Sequence, residues 1–195
     1  MLSLLVLSIL FVASAYPVWA ATLSINVDPS YLEVNIGEKK SVYINITNVE
    51  EPGLYGYDLK LYFNKTLLNA TDAFLPTGHF LTGGLEIIKE VNNTLGYIQL
   101  VVMLTGIVPG KTGSGILANV TFSGIGIGVS SLEIKEVMLL DPDGNEIPFG
   151  TNPGVIKIIP EFASALIIFV FMTVTLTVVM LKKYDTSNQR NAHGK

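Results

Sequence analysis

Leu54-Tyr55-Gly56-Tyr57-Asp58-Leu59-Lys60-Leu61-Tyr62-Phe63 decides the fold. Tyr55, Tyr57, Leu59, Leu61 and Phe63 alternate along it with Gly56, Asp58, Lys60 and Tyr62. A period of two puts the first set on one face of an extended strand, toward a core, and the second on the other face. The same alternation returns in Ser41 to Thr47, where Val42, Ile44 and Ile46 oppose Tyr43, Asn45 and Thr47. In Tyr97 to Thr105 it groups Ile98, Leu100, Val102 and Leu104, and in Ile116 to Ser123 it sets Ala118, Val120 and Phe122 against Asn119 and Thr121. Turn chemistry punctuates the chain at Asn35-Ile36-Gly37, Glu51-Pro52-Gly53, Gly83-Gly84, Pro109-Gly110 and Asp141-Pro142-Asp143-Gly144. No soluble helix is legible beyond one turn near Lys65 to Leu68. Many short strands between such turns predict an all-β, two-sheet sandwich of jelly-roll or immunoglobulin-like type.

Outward from this region the composition changes. Mean hydropathy is +0.50 with only 14% charged residues, because apolar sequence is concentrated at the two ends. Leu2 to Ala15 is an uncharged run leading into Tyr16-Pro17-Val18-Trp19-Ala20-Ala21. Small residues at Val18 and Ala20 fit a signal-peptidase site after Ala20, so residues 1–20 read as a signal peptide. Ala163 to Leu181 carries no charge, and its 19 residues would span about 28 Å as a helix, close to the hydrocarbon thickness of a bilayer. No helical period gives it a polar face, which excludes a buried amphipathic helix. Lys182 and Lys183 form the membrane stop, and residues 182–195 read as a basic cytoplasmic tail by the positive-inside rule. Residues 21–159 are then an extracellular domain of a single-pass membrane protein, with the N-terminus outside.

Charge and cysteine content exclude several functions. From Asp28 to Glu161 there are 15 acids and 8 lysines, a net of −7, and no arginine. Such a domain lacks the basic footprint of a nucleic-acid binder. The chain has no cysteine, which removes disulfides, thiolate zinc sites and cysteine nucleophiles. About 140 residues are enough to bury a core without such staples.

Several segments taken in order resemble the cohesin family. Gly56-Tyr57-Asp58-Leu59-Lys60-Leu61-Tyr62-Phe63-Asn64 with Leu67-Leu68 is similar to the cohesin strand that runs through a short turn into a leucine. Gly96-Tyr97-Ile98-Gln99-Leu100-Val101 and Gly115-Ile116-Leu117-Ala118-Asn119-Val120-Thr121-Phe122 resemble the next two markers. Asp143-Gly144-Asn145-Glu146-Ile147-Pro148 with Gly154-Val155-Ile156 resembles the closing hairpin. The resemblance implies a nine-stranded, non-catalytic jelly roll that holds a protein partner, typically a calcium-loaded dockerin, against one sheet face. Carbohydrate-binding modules share the sandwich, so a sugar-binding or cell-envelope structural protein is the alternative. Pro160-Glu161-Phe162, followed by an apolar span and two lysines, looks like the PEF-type sorting signal of archaeal surface proteins. That likeness implies processing by an archaeosortase-like enzyme, with a plain stop-transfer anchor as the other reading.

Candidate sites follow from face and chemistry. On the side of the Tyr97 strand opposite its core face lie Tyr97, Val101 and Met103, apolar residues on a nominally solvent-facing surface, which can mark a docking patch. Five sequons place candidate N-glycosylation sites at Asn45, Asn64, Asn69, Asn92 and Asn119, with Asn45 and Asn119 on outward strand faces. Tyr55 and Tyr57 read as packing residues rather than a sugar platform, and Trp19 leaves with the signal peptide. His79 is the one histidine of residues 21–159 and reads as a solvated loop residue, so no triad is expected. Asp141 to Glu146 reads as a hairpin turn rather than a calcium loop, since its glycine falls fourth instead of sixth. No catalytic residue, metal or cofactor is expected.

Overall fold

The computed structural model describes residues 22–161 and 164–192. The proposed signal peptide and Phe162 lie outside the described residues. Among the described residues, eleven strands and one helix follow in order: β1 (Ser24–Asp28), β2 (Tyr31–Asn35), β3 (Lys39–Leu54), β4 (Gly56–Tyr62), β5 (Leu68–Phe74), β6 (Leu85–Asn92), β7 (Tyr97–Met103), β8 (Lys111–Gly124), β9 (Gly128–Leu140), β10 (Gly150–Asn152), β11 (Gly154–Ile159) and α1 (Ser164–Ala192). They form a five-stranded sheet in the order β10-β1-β3-β8-β5 and a six-stranded sheet in the order β2-β11-β9-β4-β7-β6. β1 and β2 are two halves of one chain path that changes sheets at Pro29, where the missing N–H interrupts the ladder. Counting those halves as one, and setting aside the three-residue β10, leaves nine strands.

The alternating residues of the opening stretch meet between the sheets. Leu59, Leu61, Ile98, Leu100 and Val102 from one sheet and Val42, Ile44, Ile46, Val120 and Phe122 from the other have no solvent exposure. Burying each such side chain stabilises the fold by about 1.5–3 kcal/mol relative to leaving it in water. Phe122 meets Phe63 edge-on with ring centroids 5.2 Å apart, an arrangement favoured by the ring quadrupoles. Tyr57 is buried with them, and its hydroxyl donates to the Leu117 carbonyl at 3.2 Å. Burial of Tyr57 also pushes its phenol pKa up.

Two local expectations are corrected. Glu51-Pro52-Gly53 does not end a strand; β3 runs through it to Leu54, with its pairing to β8 shifting between Val49 and Leu54. A close backbone crossing explains the shift, because a Cβ on Gly53 would lie 2.6 Å from the carbonyl carbon of Gly110. The helix does not stop at Leu181 but continues through Lys182 and Lys183 to Ala192. No Gly or Pro interrupts those residues, and Lys, Gln and Arg favour helix.

Within α1, Ile167–Tyr184 is 18 residues of mean hydropathy 1.8, long and apolar enough to cross a membrane. Its threonines return their hydroxyls to the helix backbone: Thr173 to the Val170 carbonyl at 2.8 Å, and Thr177 to that of Thr173 at 2.7 Å. Such bonds leave no hydroxyl unsatisfied in an apolar medium.

Candidate partner-binding face

The outward side of the β9-β4-β7-β6 array is one continuous surface whose two halves differ in chemistry. Strand register defines it. Met103 lies opposite Gly56 on one side and Leu85 on the other, and Gly56 in turn lies opposite Leu140. Two residues along, Val101 lies between Asp58 and Ile88, and Asp58 faces Met138. Leu85, Ile88 and Met138 are exposed at 59%, 40% and 46%, and Val101 and Met103 are half-buried among them. Gly56 contributes no side chain, which leaves the Met103 thioether in the middle of the patch. Methionine there is adaptable, filling whatever contour a partner offers.

Toward the opposite end of the same strands the surface turns polar. Tyr97 faces Tyr62, with ring centroids 5.8 Å apart, and the Lys60 ammonium stands 5.3 Å from the Tyr97 centroid. A bulge in β9 carries Glu136, at φ +49°, onto this face. There it accepts from the Lys60 ammonium and the Tyr62 hydroxyl, each at 2.5 Å. These two donors, Lys60 first, hold the Glu136 carboxyl below the usual range, and the pairing raises Lys60 in turn. Tyr97 donates to Glu90 at 2.9 Å, and Gln99 donates to Asp58 at 2.9 Å. Every charged group in the middle of this half therefore has a partner, so its geometry is set before anything binds.

Tyr97, Val101 and Met103 do share the outward face, but they do not form one cluster. Val101 and Met103 sit in the apolar half, and Tyr97 belongs to the polar network. Leu85 and Ile88 on β6 and Met138 on β9 escape sequence reading because both strands carry bulges, between Glu86 and Ile88 and between Asp58 and Lys60 of the β9–β4 pairing. A bulge breaks the period of two, which is the only sequence signal a strand face has.

The sequons fall in different surroundings. Asn64 is exposed in the β4–β5 turn, and its Oδ1 accepts from the Thr66 amide at 3.0 Å and the Thr66 hydroxyl at 2.7 Å. Asn45, Asn69 and Asn92 are half-buried. Asn119 points outward from β8 as expected, yet it is only 5% exposed, flanked in register by Tyr43 and Phe74 on the neighbouring strands. Its Oδ1 is buried without a partner, so the open acceptor expected there is a covered one. A central strand between two aromatic neighbours leaves little room above a short side chain.

His79 is also less solvated than expected. It is half-buried in its loop with Nδ1 enclosed and unpaired, and desolvation lowers its pKa. Asp141 behaves as the turn reading requires: its carboxylate accepts from the Asp143 and Asn145 amides, each at 2.8 Å, and from the Asn145 side chain. Tyr55 and Tyr57 pack inward, Tyr55 donating to the Gly106 carbonyl at 2.6 Å. Among the described residues, no group of three or more His, Asp or Glu side chains is placed to hold a metal.

No family model and no curated protein matches the sequence. The fold, in contrast, is similar to solved cohesin structures. A non-cellulosomal cohesin from Archaeoglobus fulgidus superposes with a TM-score of 0.60 at 19% identity, covering 74% of this chain and 96% of the other. A type I cohesin–dockerin complex from Clostridium thermocellum gives a TM-score of 0.59 at 15% identity, with coverage of 70% and 93%. The solution structure of a cohesin from Clostridium acetobutylicum gives 0.58 at 17% identity, with coverage of 73% and 94%. At these identities the likeness concerns the fold. Residues 22–159 form a cohesin-type sandwich.

Proposed function

We propose that this protein is a non-catalytic, cell-surface binding module of cohesin type that holds a dockerin-like protein on the outward face of β9-β4-β7-β6. The observation that carries the proposal is the apolar half of that face, Leu85, Ile88, Val101, Met103 and Met138, on a sandwich whose core is already closed. A monomer gains nothing from leaving such a patch in water, whereas a partner that covers it gains the burial. The neighbouring polar network supplies fixed register to the same partner. Complexes in which similar folds are bound to dockerins support the choice of partner class. Tyr55 and Tyr57 are committed to packing, so neither offers its ring to a sugar. Titration with calcium-loaded dockerin domains, set beside a glycan array, tests the assignment. Binding to glycans alone would overturn it.

The module is anchored by α1, with residues 21–159 outside and residues 182–195 in the cytoplasm. Protease added to intact cells is expected to digest the sandwich and spare a tag placed after Lys183. Protection of the sandwich would reverse the orientation drawn from the lysines. Pro160-Glu161-Phe162 serves as a sorting signal in this reading, and a mature protein that has lost the tag would support processing over retention.

Glycan attachment is expected at Asn64 ahead of the other sequons, and not at Asn119. Asn64 is exposed and already hydrogen-bonded to its own threonine, whereas Asn119 is enclosed. Peptide mapping of the native protein reads occupancy directly. A glycan on Asn119 would mean modification before the sheet closes, and would refute this order.

A further inference from the structure

Four exposed apolar side chains are spread across one end of the sandwich, away from the proposed partner patch. Ile36 closes the β2–β3 turn, Leu95 tips the β6–β7 turn, and Ile125 and Ile127 tip the β8–β9 loop. Their exposures are 39%, 63%, 52% and 61%. Strand directions put all three connections at the same end. β4 ends there at Tyr62, opposite the first residue of β7, and β9 begins there at Gly128, opposite Ile158 near the close of β11. The chain also leaves the sandwich at this end. β11 finishes at Ile159, and α1 starts five residues later at Ser164, at most about 17 Å away even if the link is fully extended.

These tips are rigid rather than loosely hung. The Ile36 amide donates to the Ile159 carbonyl at 3.1 Å, Gly37 to Gly124 at 2.8 Å, and Ile125 to Leu67 at 2.8 Å. Gly126 sits against the β4–β5 turn, where a Cβ would lie 2.8 Å from the Thr66 carbonyl oxygen. The Ile-Gly-Ile-Gly pattern therefore presses its glycines onto the domain and turns its isoleucines away from it. Exposing isoleucine at loop tips costs free energy in water and is repaid in an apolar phase. Charge at this end is mixed: Glu38 accepts from the Asn35 amide and pairs with Lys40, Lys65 donates to the Thr94 carbonyl, and Lys39 is exposed.

We infer that this end of the sandwich is a membrane-docking foot, in which Ile36, Leu95, Ile125 and Ile127 rest in the lipid interface beside the entry of α1. The inference rests on the reading of α1 as a membrane anchor, since the anchor is what brings lipid to within reach. Apolar surface resting in the interface is buried about 5–10 Å into the headgroup and acyl boundary. The foot sets the strands upright on the membrane. Tyr62 and Tyr97 then face the partner near the bilayer, and the apolar patch at Gly56, Met103 and Leu140, six residues further along β4, stands about 20 Å higher. An otherwise swivelling module becomes one that presents its binding face sideways at a fixed height.

The native chain has no cysteine, so single reporters are simple to place. In the full-length protein reconstituted into phosphatidylcholine–phosphatidylglycerol vesicles, a fluorophore is attached at Ile127→Cys, Leu95→Cys, Val174→Cys in α1, or Ile107→Cys at the far end. Quenching by acyl-chain spin-labelled lipid is then measured. Val174→Cys, Ile127→Cys and Leu95→Cys are expected to be quenched severalfold more than Ile107→Cys. If Val174→Cys is quenched while Ile127→Cys and Leu95→Cys match Ile107→Cys, the foot is refuted and the anchor stands. If Val174→Cys is not quenched, the anchor fails and the foot with it. A label at Ile127→Cys shielded from aqueous iodide but untouched by the lipid quencher would show another protein surface covering it, and would also overturn the inference.

Discussion

Val101→Asp and Met103→Asp are each expected to lower affinity for a dockerin-like partner by at least about a hundredfold while leaving the domain folded, since an unpaired charge buried in an interface costs several kcal/mol. Both side chains point away from the core, so the substituted carboxylates stay hydrated in the free protein. Circular dichroism is therefore expected to match the parent for both, and thermal unfolding to match it for Met103→Asp and to fall slightly for Val101→Asp, whose carboxylate stands opposite Asp58. In the complex the carboxylate loses its water beneath the partner, among Leu85, Ile88 and Met138, none of which can hydrogen-bond to it. Tyr97→Ala provides the contrast. It removes the hydroxyl bound to Glu90 and the ring beside Lys60, in the polar half, and is expected to weaken binding far less than either aspartate. Normal binding by both aspartate variants would remove this face from the mechanism. Unfolding of either would mean that its side chain packs inward.

What the sequence made legible, and what it hid, follows from strand periodicity. Tyr57, Leu59, Leu61, Ile98, Leu100 and Val102 were assignable to the core because β4 and β7 keep a strict alternation for seven residues each. Val101 and Met103 were assignable to the outward face by the same reasoning. Periodicity could not say that Tyr97 would be drawn into a network with Tyr62, Lys60 and Glu136, because Glu136 reaches that face only through a bulge at positive φ. Nor could it find Leu85 and Ile88, whose strand reads as Leu-Glu-Ile-Ile-Lys-Glu-Val-Asn with two adjacent isoleucines. Asn119 shows a further limit. Alternation gives the direction of a side chain but not what stands beside it, and Tyr43 and Phe74 arrive from strands 76 and 45 residues away in sequence, as the register pairs show (119 − 43 and 119 − 74). The foot draws on Gly124 to Gly128, a Gly-Ile-Gly-Ile-Gly stretch joining β8 to β9 that strand periodicity does not single out. Its meaning depends on which end of the sandwich the chain leaves from, and only the assembled topology gives that.

Phe122→Ala is expected to destabilise the domain by about 3–5 kcal/mol, the usual range for removing a buried aromatic side chain. The ring is fully enclosed where β8, an interior strand of the five-stranded sheet, faces the six-stranded one, and its edge contact with Phe63 is lost together with its buried area. Relaxation cannot close the gap. β8 is paired on both sides, with Lys40 opposite Phe122 on β3 and Ala70 opposite it on β5, so the strand has no free edge along which to shift. Without disulfides to limit the unfolded chain, that loss is a large part of the 5–15 kcal/mol that holds a domain folded. The midpoint in urea is expected to fall sharply with an unchanged slope, as for a loss of stability without loss of two-state behaviour. Phe74→Ala, on the outer side of the same sheet and 40% exposed, is expected to cost far less. Equal effects of the two substitutions would contradict the placement of Phe122 between the sheets and Phe74 outside them.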